Sequence, residues 1–138
     1  MPSESRISLS VPSRLDHLDM LQAVAEEVAR LVGFGEDARL DLGLAVREGV
    51  VNAMKHAHGF DATHPVDVTF DREGNNLSVS IRDEGAGFDP STIPDPREPE
   101  NLLRTSGRGL FLIHGLVDEL RIVKHPRGME LVLVKRIS

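Results

Sequence analysis

Two stretches of this chain are patterned to fold back on themselves, and they restrict its architecture more than any other feature. "VDVTF" (Val66 to Phe70) and "LSVSI" (Leu77 to Ile81) alternate apolar and polar residues, and "DREGNN" between them supplies turn formers. Period-two alternation bounded by Gly and Asn predicts two paired strands, each with one buried face. "RIVKH" (Arg121 to His125) and "MELVLVKRI" (Met129 to Ile137) repeat the pattern across "PRG". A sheet made of hairpins is antiparallel in those pairs, and its apolar face needs a cover.

Helices are the available cover. "ISLSVPS" (Ile7 to Ser13) reads as a short first strand, with Ser13 placed to cap the helix after it. From Leu15, apolar residues recur at Leu18, Leu21, Val24, Ala25, Val28, Leu31 and Val32, which is the stripe of an amphipathic helix. "GFG" (Gly33 to Gly35) breaks it. A second helix is expected from about Glu36 to His56 and a third from Gly109 to Leu120. The segment between the first hairpin and the third helix, Pro90 to Thr105, holds four prolines and little periodicity. An irregular loop of that length in a compact domain is usually functional, as a lid is. The order strand, helix, helix, hairpin, loop, helix, hairpin predicts a single domain over residues 1–138 of the α+β class. It would be a two-layer α/β sandwich whose mixed, mostly antiparallel sheet is covered on one face by three helices.

Composition excludes several functions. A net charge of −6 opposes general binding to nucleic acid, since phosphate backbones call for clustered Lys and Arg. Aromatics make up 4% of the chain, with no Trp or Tyr, so base-stacking platforms are not expected. There is no cysteine, hence no disulfide framework and no thiolate zinc site. No apolar run approaches the roughly 20 residues of a membrane span. "MPSESRISLS" has neither the basic start nor the apolar block of a signal peptide, so a cytoplasmic setting without membrane contact is expected. If such an acidic protein holds a polyanion, it must do so locally, with backbone N–H groups, a metal ion or a few placed arginines.

"LDLGLAVREGVVNAMKHA" (Leu40 to Ala57) is the most informative part of the chain. Leu42, Leu44, Val46, Val50, Val51 and Met54 cover most of a helical circumference, so this helix is expected to be largely buried. Glu48, Asn52 and His56 nevertheless follow one another at i, i+4, i+8 and share one face, with Asp41 and Lys55 near it. One reading is an ordinary solvated stripe. The other is chemical: Glu can accept a proton from a hydroxyl, and Asn offers Mg²⁺ a neutral oxygen while leaving room for phosphate oxygens.

Two glycine-rich turns flank the Pro-rich loop. In "RDEGAGFDP" (Arg82 to Pro90), Asp83 ends a strand, where a carboxylate can accept from an exocyclic amine. Gly85 and Gly87 would let a flat ring approach the backbone. The same stretch is also an unremarkable turn. "TSGRGLFLI" (Thr105 to Ile113) opens a helix: Thr105 and Ser106 can cap, while Gly107 and Gly109 leave N–H groups free at the positive end of the helix dipole. Arg108 and Arg104 add local positive charge. A plain glycine-rich cap is the competing explanation. The pattern does not match a Walker-type loop and opens no βαβ unit.

Taken in order, E-x-x-x-N on a helix, D-x-G-x-G after a strand, a loop and G-x-G opening a helix resemble the GHKL ATPase superfamily, with its histidine kinase-like ATPase fold. "EGVVNAMKHA" looks like its N-box, "DEGAG" like its first glycine box and "SGRGLFLI" like its second. The resemblance covers nearly the whole chain. Within the superfamily the chain is most similar to the anti-sigma factor serine/threonine-protein kinases, notably through "GLFLIHGLVDEL".

The resemblance implies ATP and Mg²⁺ as cofactors, Glu48 as the catalytic general base, and Asn52 as the Mg²⁺ ligand. It implies Asp83 as the partner of the adenine amino group, with Gly85 and Gly87 shaping that pocket. Gly107, Arg108 and Gly109 would meet the phosphates, and His56, Arg104, Thr105, Ser106 and Leu110 would complete the nucleotide-binding set under a lid over about 88–106. Such kinases phosphorylate a serine on a small anti-anti-sigma (STAS-type) protein, otherwise sequester a sigma factor, and act as homodimers. The chain departs from the family at "RGMEL": Met129 follows Gly128 where a Thr hydroxyl usually supports the adenine-binding Asp.

Two functions are therefore expected to compete. The first is an ATP-dependent protein serine kinase in a partner switch; the second is a nucleotide-responsive binding protein of the same fold that transfers nothing. A free-standing histidine kinase is disfavoured, as there is no room for a phospho-accepting helical hairpin. His17 is expected at the surface, and the mixed helix and loop positions of His56, His58 and His64 argue against a zinc site.

Overall fold

The computed structural model describes residues 4–57, 64–83 and 108–137. Strand β1 (Glu4–Pro12) leads through a 3₁₀ turn (Leu15–His17) into α1 (Leu18–Val32), and α2 (Glu36–Asn52) comes next. Strands β2 (Pro65–Glu73) and β3 (Asn76–Asp83) form the first hairpin. Helix α3 (Arg108–Leu116) precedes the second, β4 (Glu119–His125) and β5 (Gly128–Arg136).

The strands lie in the order β1-β2-β3-β5-β4. Every pairing among the described residues is antiparallel, so the expected mixed sheet is antiparallel throughout. The chain leaves β3, builds α3, lays β4 at the far edge and returns with β5 between β4 and β3. That path sets the end of β3 beside the start of β5.

Alternation does what the sequence requires of it. Val66, Val68 and Phe70 of β2 and Leu77, Val79 and Ile81 of β3 point into one core, together with Leu131 and Leu133 of β5. Leu21, Ala25 and Val28 of α1, Leu42, Val46 and Val50 of α2, and Ile113 of α3 close over that face. Burying each large apolar side chain stabilises by about 1.5–3 kcal/mol, so the two layers hold each other. Helix α2 lies between α1 and α3. Arg47 Nη1 ties it to α1, 2.6 Å from Asp19 Oδ1 and 3.2 Å from Gln22 Oε1.

Four local expectations change. Ser13 does not cap a helix: its buried hydroxyl donates to the His64 carbonyl at 2.6 Å, tying the end of β1 to the start of β2. Leu44 is not buried. It stays 42% exposed on the outer side of α2, since only the side of that helix toward the sheet and its two neighbours is covered. The third helix ends at Leu116 instead of Leu120. The Asp118 N–H donates to the Val134 carbonyl at 2.9 Å, and its carboxylate accepts from the Arg136 N–H at 2.6 Å. These bonds draw "DEL" into the sheet, while Lys135 Nζ meets the Leu116 carbonyl at 2.9 Å at the helix end.

The second helix is α-helical only to Asn52 and continues as a π-helical turn over Ala53–Ala57. An i→i+5 winding takes position 56 off the strict i+4 column that Glu48 and Asn52 share.

Candidate functional site

One corner of the sandwich collects three of the segments that carry the sequence motifs. Glu48 and Asn52, one helical turn apart on α2, are both half-buried. Gly49 between them has no side chain to hold the helix off the sheet. A Cβ there would lie 2.5 Å from Ile81 Cδ1 and 3.8 Å from Ile113 Cδ1. The bare backbone of α2 thus rests on β3 two residues before Asp83.

On α3, Gly109 likewise leaves room for the Asn52 side chain. A Cβ at Gly109 would lie 2.8 Å from Asn52 Nδ2 and 3.1 Å from its Oδ1. With Gly109 against Asn52 and Ile113 against Gly49, α3 runs antiparallel to α2 and starts where α2 ends. Asn52 Nδ2 is buried with no hydrogen-bond partner among the described residues. A buried, unpaired donor costs about 1–3 kcal/mol, a cost that a ligand oxygen or a water accepting from it would remove.

Asp83 is 3% exposed. The β3–β5 ladder stops at Arg82↔Glu130, one residue short of it. Beyond that point the carboxylate takes over: Asp83 Oδ1 accepts from the Met129 N–H at 3.3 Å. At the position where the resemblance implies a threonine hydroxyl, Met129 offers its backbone N–H to the aspartate.

Gly128 makes the contact possible. Its φ is +127°, and a Cβ would fall 2.1 Å from the Asp83 carbonyl oxygen and 2.8 Å from Oδ1. The tight turn at Pro126 and Arg127 delivers this glycine opposite Asp83, since His125 pairs with Gly128 across it. The sequence names Gly128 without giving it a task; its signal is a glycine directly after the two turn residues.

Gly109 and Leu110 both lie in the first turn of α3, where N–H groups lack intrahelical partners. The Leu110 side chain is buried in the core, which leaves its backbone as the part able to meet a ligand. Arg108 begins α3, and position 56 falls in the π-helical turn; the side chains of Arg108 and His56 lie outside the described set. Gly85, Gly87, Arg104, Thr105, Ser106, Gly107 and the lid over about 88–106 also lie outside the described residues, as does His58. His17, expected at the surface, contacts the Pro12 carbonyl at 3.4 Å and lies at the entry to α1.

The corner fits a magnesium nucleotide. Asn52 supplies a carboxamide oxygen suited to a hard cation, and the cradle at Gly109 is one that a Cβ would fill. Among the described residues no cluster of three or more His, Cys, Asp or Glu could hold a metal. A divalent ion here would draw most of its ligands from phosphate and water.

Comparison with known proteins identifies the family and the fold. Residues 11–135 match the family described as the histidine kinase-like ATPase domain. The serine-protein kinase RsbW of Oceanobacillus iheyensis is 28% identical over 144 residues, an alignment covering 100% of this chain and 90% of that protein. The serine-protein kinase RsbW of Bacillus mycoides is 27% identical, covering 100% and 89%. Among solved structures, the RsbU and RsbW domains of a Mycobacterium tuberculosis protein superpose with a TM-score of 0.70 at 20% identity. That alignment covers 96% of this chain but 32% of the other, so the chain spans about a third of it. The histidine kinase domain of a blue-light activated histidine kinase from Erythrobacter litoralis gives a TM-score of 0.58 at 18% identity, covering 99% and 65%. At these identities the structural likeness establishes a shared fold.

Proposed function

The chain belongs to the histidine kinase-like ATPase domain family, and from that premise we propose that it is an ATP-dependent serine/threonine protein kinase acting as an anti-sigma factor. Its acceptor would be a serine on a small anti-anti-sigma (STAS-type) protein, and its other partner a sigma factor that it sequesters. The observation that carries this reading is the buried Asn52 Nδ2, without a hydrogen-bond partner among the described residues, one turn from Glu48 and packed on Gly109 at the start of α3. The relatives named serine-protein kinase support the reaction class.

The proposed roles come from the chemistry of each group. Asp83, buried and approached by the Met129 N–H, would accept a hydrogen bond from the adenine amino group. Phosphoryl transfer asks mainly for positioning and neutralised charge, and Mg²⁺ held by Asn52 would supply that neutralisation. The N–H groups opening α3 favour negative charge at the same place. Glu48, half-buried beside Asn52, would take the proton from the acceptor hydroxyl as its oxygen bonds to the γ-phosphorus and the bond to ADP breaks. Gly85, Gly87, Gly107, Arg108 and Arg104, with Thr105, Ser106, Leu110 and His56, complete the proposed nucleotide contacts. A homodimer in the cytoplasm belongs to the same proposal. Among the described residues no helix is long and apolar enough to cross a membrane.

The test is transfer of label from γ-labelled ATP to a purified anti-anti-sigma-type protein in the presence of Mg²⁺. Phosphoserine on the partner is expected. Tight ATP binding with no labelled partner would instead favour a nucleotide-responsive switch that transfers nothing.

The cradle gives a second expectation. In Gly109→Ala the new methyl displaces the Asn52 side chain while the backbone stays put, so Mg²⁺-dependent ATP affinity should fall about tenfold. Denaturation midpoints should hardly move. Unchanged affinity would remove Asn52 from the metal site.

A further inference from the structure

On the face of the sheet away from the helices, behind Asp83, Glu130 reaches in two directions. Its Oε2 accepts from the Ser80 hydroxyl of β3, and its Oε1 accepts from His125 Nε2 of β4 at 2.7 Å. Neither partner lies directly across from it. Glu130 pairs with Arg82 on β3 and with Val123 on β4, so both bonds run diagonally, two residues along the neighbouring strand. Ladder hydrogen bonds lie perpendicular to antiparallel strands and resist separation. A diagonal bond resists sliding, and two from one carboxylate fix β5 against both neighbours.

What they fix is the start of β5. The next residue back is Met129, whose N–H meets Asp83 at a long 3.3 Å, and behind it stands Gly128, packed on the Asp83 carbonyl. A small slip of β5 along β3 would break that contact, and the ladder itself ends one residue short of it.

We propose that Glu130, braced by Ser80 and His125, is a positioning residue for adenine recognition, holding the Met129 N–H against Asp83. This role rests on the nucleotide-binding reading of the site. It gives the chain a substitute for the missing threonine hydroxyl: the support comes from backbone, and the backbone is held from the opposite face of the sheet. The ionisation of Glu130 is consistent with the geometry. Burial alone would raise its carboxyl, but the bonds from Ser80 and His125, with the charges of His125 and Arg82, outweigh that and hold it below the ordinary glutamate value.

The experiment compares full-length wild type, Glu130→Ala and Glu130→Gln. Calorimetry with ATP and with GTP, each with Mg²⁺, is paired with amide hydrogen exchange at Met129 and Leu131. Glu130→Ala should weaken ATP about tenfold and leave GTP unchanged, because the adenine amino group alone depends on Asp83. Exchange should rise at Met129 but not at Leu131. Glu130→Gln keeps an acceptor for Ser80 and a partner for His125, and should restore most of both effects.

Equal losses for ATP and GTP, or faster exchange at both amides, would overturn the proposal by showing a general loosening of the sheet. So would an alanine variant indistinguishable from wild type. If wild type binds neither nucleotide, the kinase reading fails first. The Met129 exchange then still decides whether the brace exists.

Discussion

Gly128→Ala is expected to destabilise the protein by about 3–5 kcal/mol, at the extreme of what single substitutions do. Two effects combine. An alanine held at φ +127° is strained by about 1–3 kcal/mol. Its Cβ would also sit 2.1 Å from the Asp83 carbonyl oxygen. That neighbour is backbone at the end of a central strand, not a side chain that can swing aside, and Gly128 opens the strand paired to it. Against a total stability of about 5–15 kcal/mol, the loss would be plain in the urea midpoint with an unchanged slope.

Gly74→Ala is the natural control. It too has positive φ, +59°, in the turn of the first hairpin, but a Cβ there meets nothing within 4 Å. Strain alone predicts a cost of about 1 kcal/mol. Similar costs at Gly74 and Gly128 would mean that β5 does not press on Asp83. Whatever Gly128→Ala protein remains folded should have lost its preference for adenine.

Glu48→Ala should do the reverse, sparing the fold and removing the reaction. The side chain is half-buried and sits on a helix that its neighbours Gly49 and Val50 anchor to the sheet. Truncating it to a good helix former breaks no hydrogen bond or ion pair shown among the described residues. General-base action contributes about 10²–10⁴-fold, so kcat for transfer to the protein acceptor should fall by that factor. KM for ATP should stay near wild type, because the proposed role has Glu48 act on the acceptor hydroxyl and not on the nucleotide. Asn52→Ala should separate from it by raising KM for ATP. Unaltered kcat in Glu48→Ala would oblige another group to take the proton.

The elements of this fold were legible wherever one period dominated. Alternation at Val66 to Phe70 and Leu77 to Ile81 placed two strands within a few residues of their observed ends, and Gly33, with φ +102°, ended α1 as expected. The errors came where tertiary contacts overrode local pattern. "VDEL" continues a helical stripe, yet a carbonyl and an amide of β5 were available to Asp118, and the strand won. Ser13 has the right residue type for a cap, but a carbonyl 51 positions away was nearer. Leu44 reads as core because periodicity records apolarity, not which neighbours exist to cover it.

At the site, Glu48, Asn52 and Asp83 were visible as residue types at family spacing. What sequence could not supply was the support behind them. Met129, where the resemblance implies a threonine, shows only a missing hydroxyl in the sequence, since the backbone N–H that meets Asp83 has no letter there. Gly128 and Glu130 carry that support through a close approach and two diagonal bonds, and neither belongs to a motif.

The central claim is that this corner holds an adenine nucleotide through Asp83, and calorimetry on the purified chain with Mg²⁺ tests it most directly. One ATP per chain should bind with a dissociation constant well below a millimolar, GTP should bind more weakly, and Asp83→Asn should cost ATP about tenfold or more in affinity. No heat from ATP at millimolar concentration, or ATP and GTP binding alike with Asp83→Asn unchanged, would contradict the account.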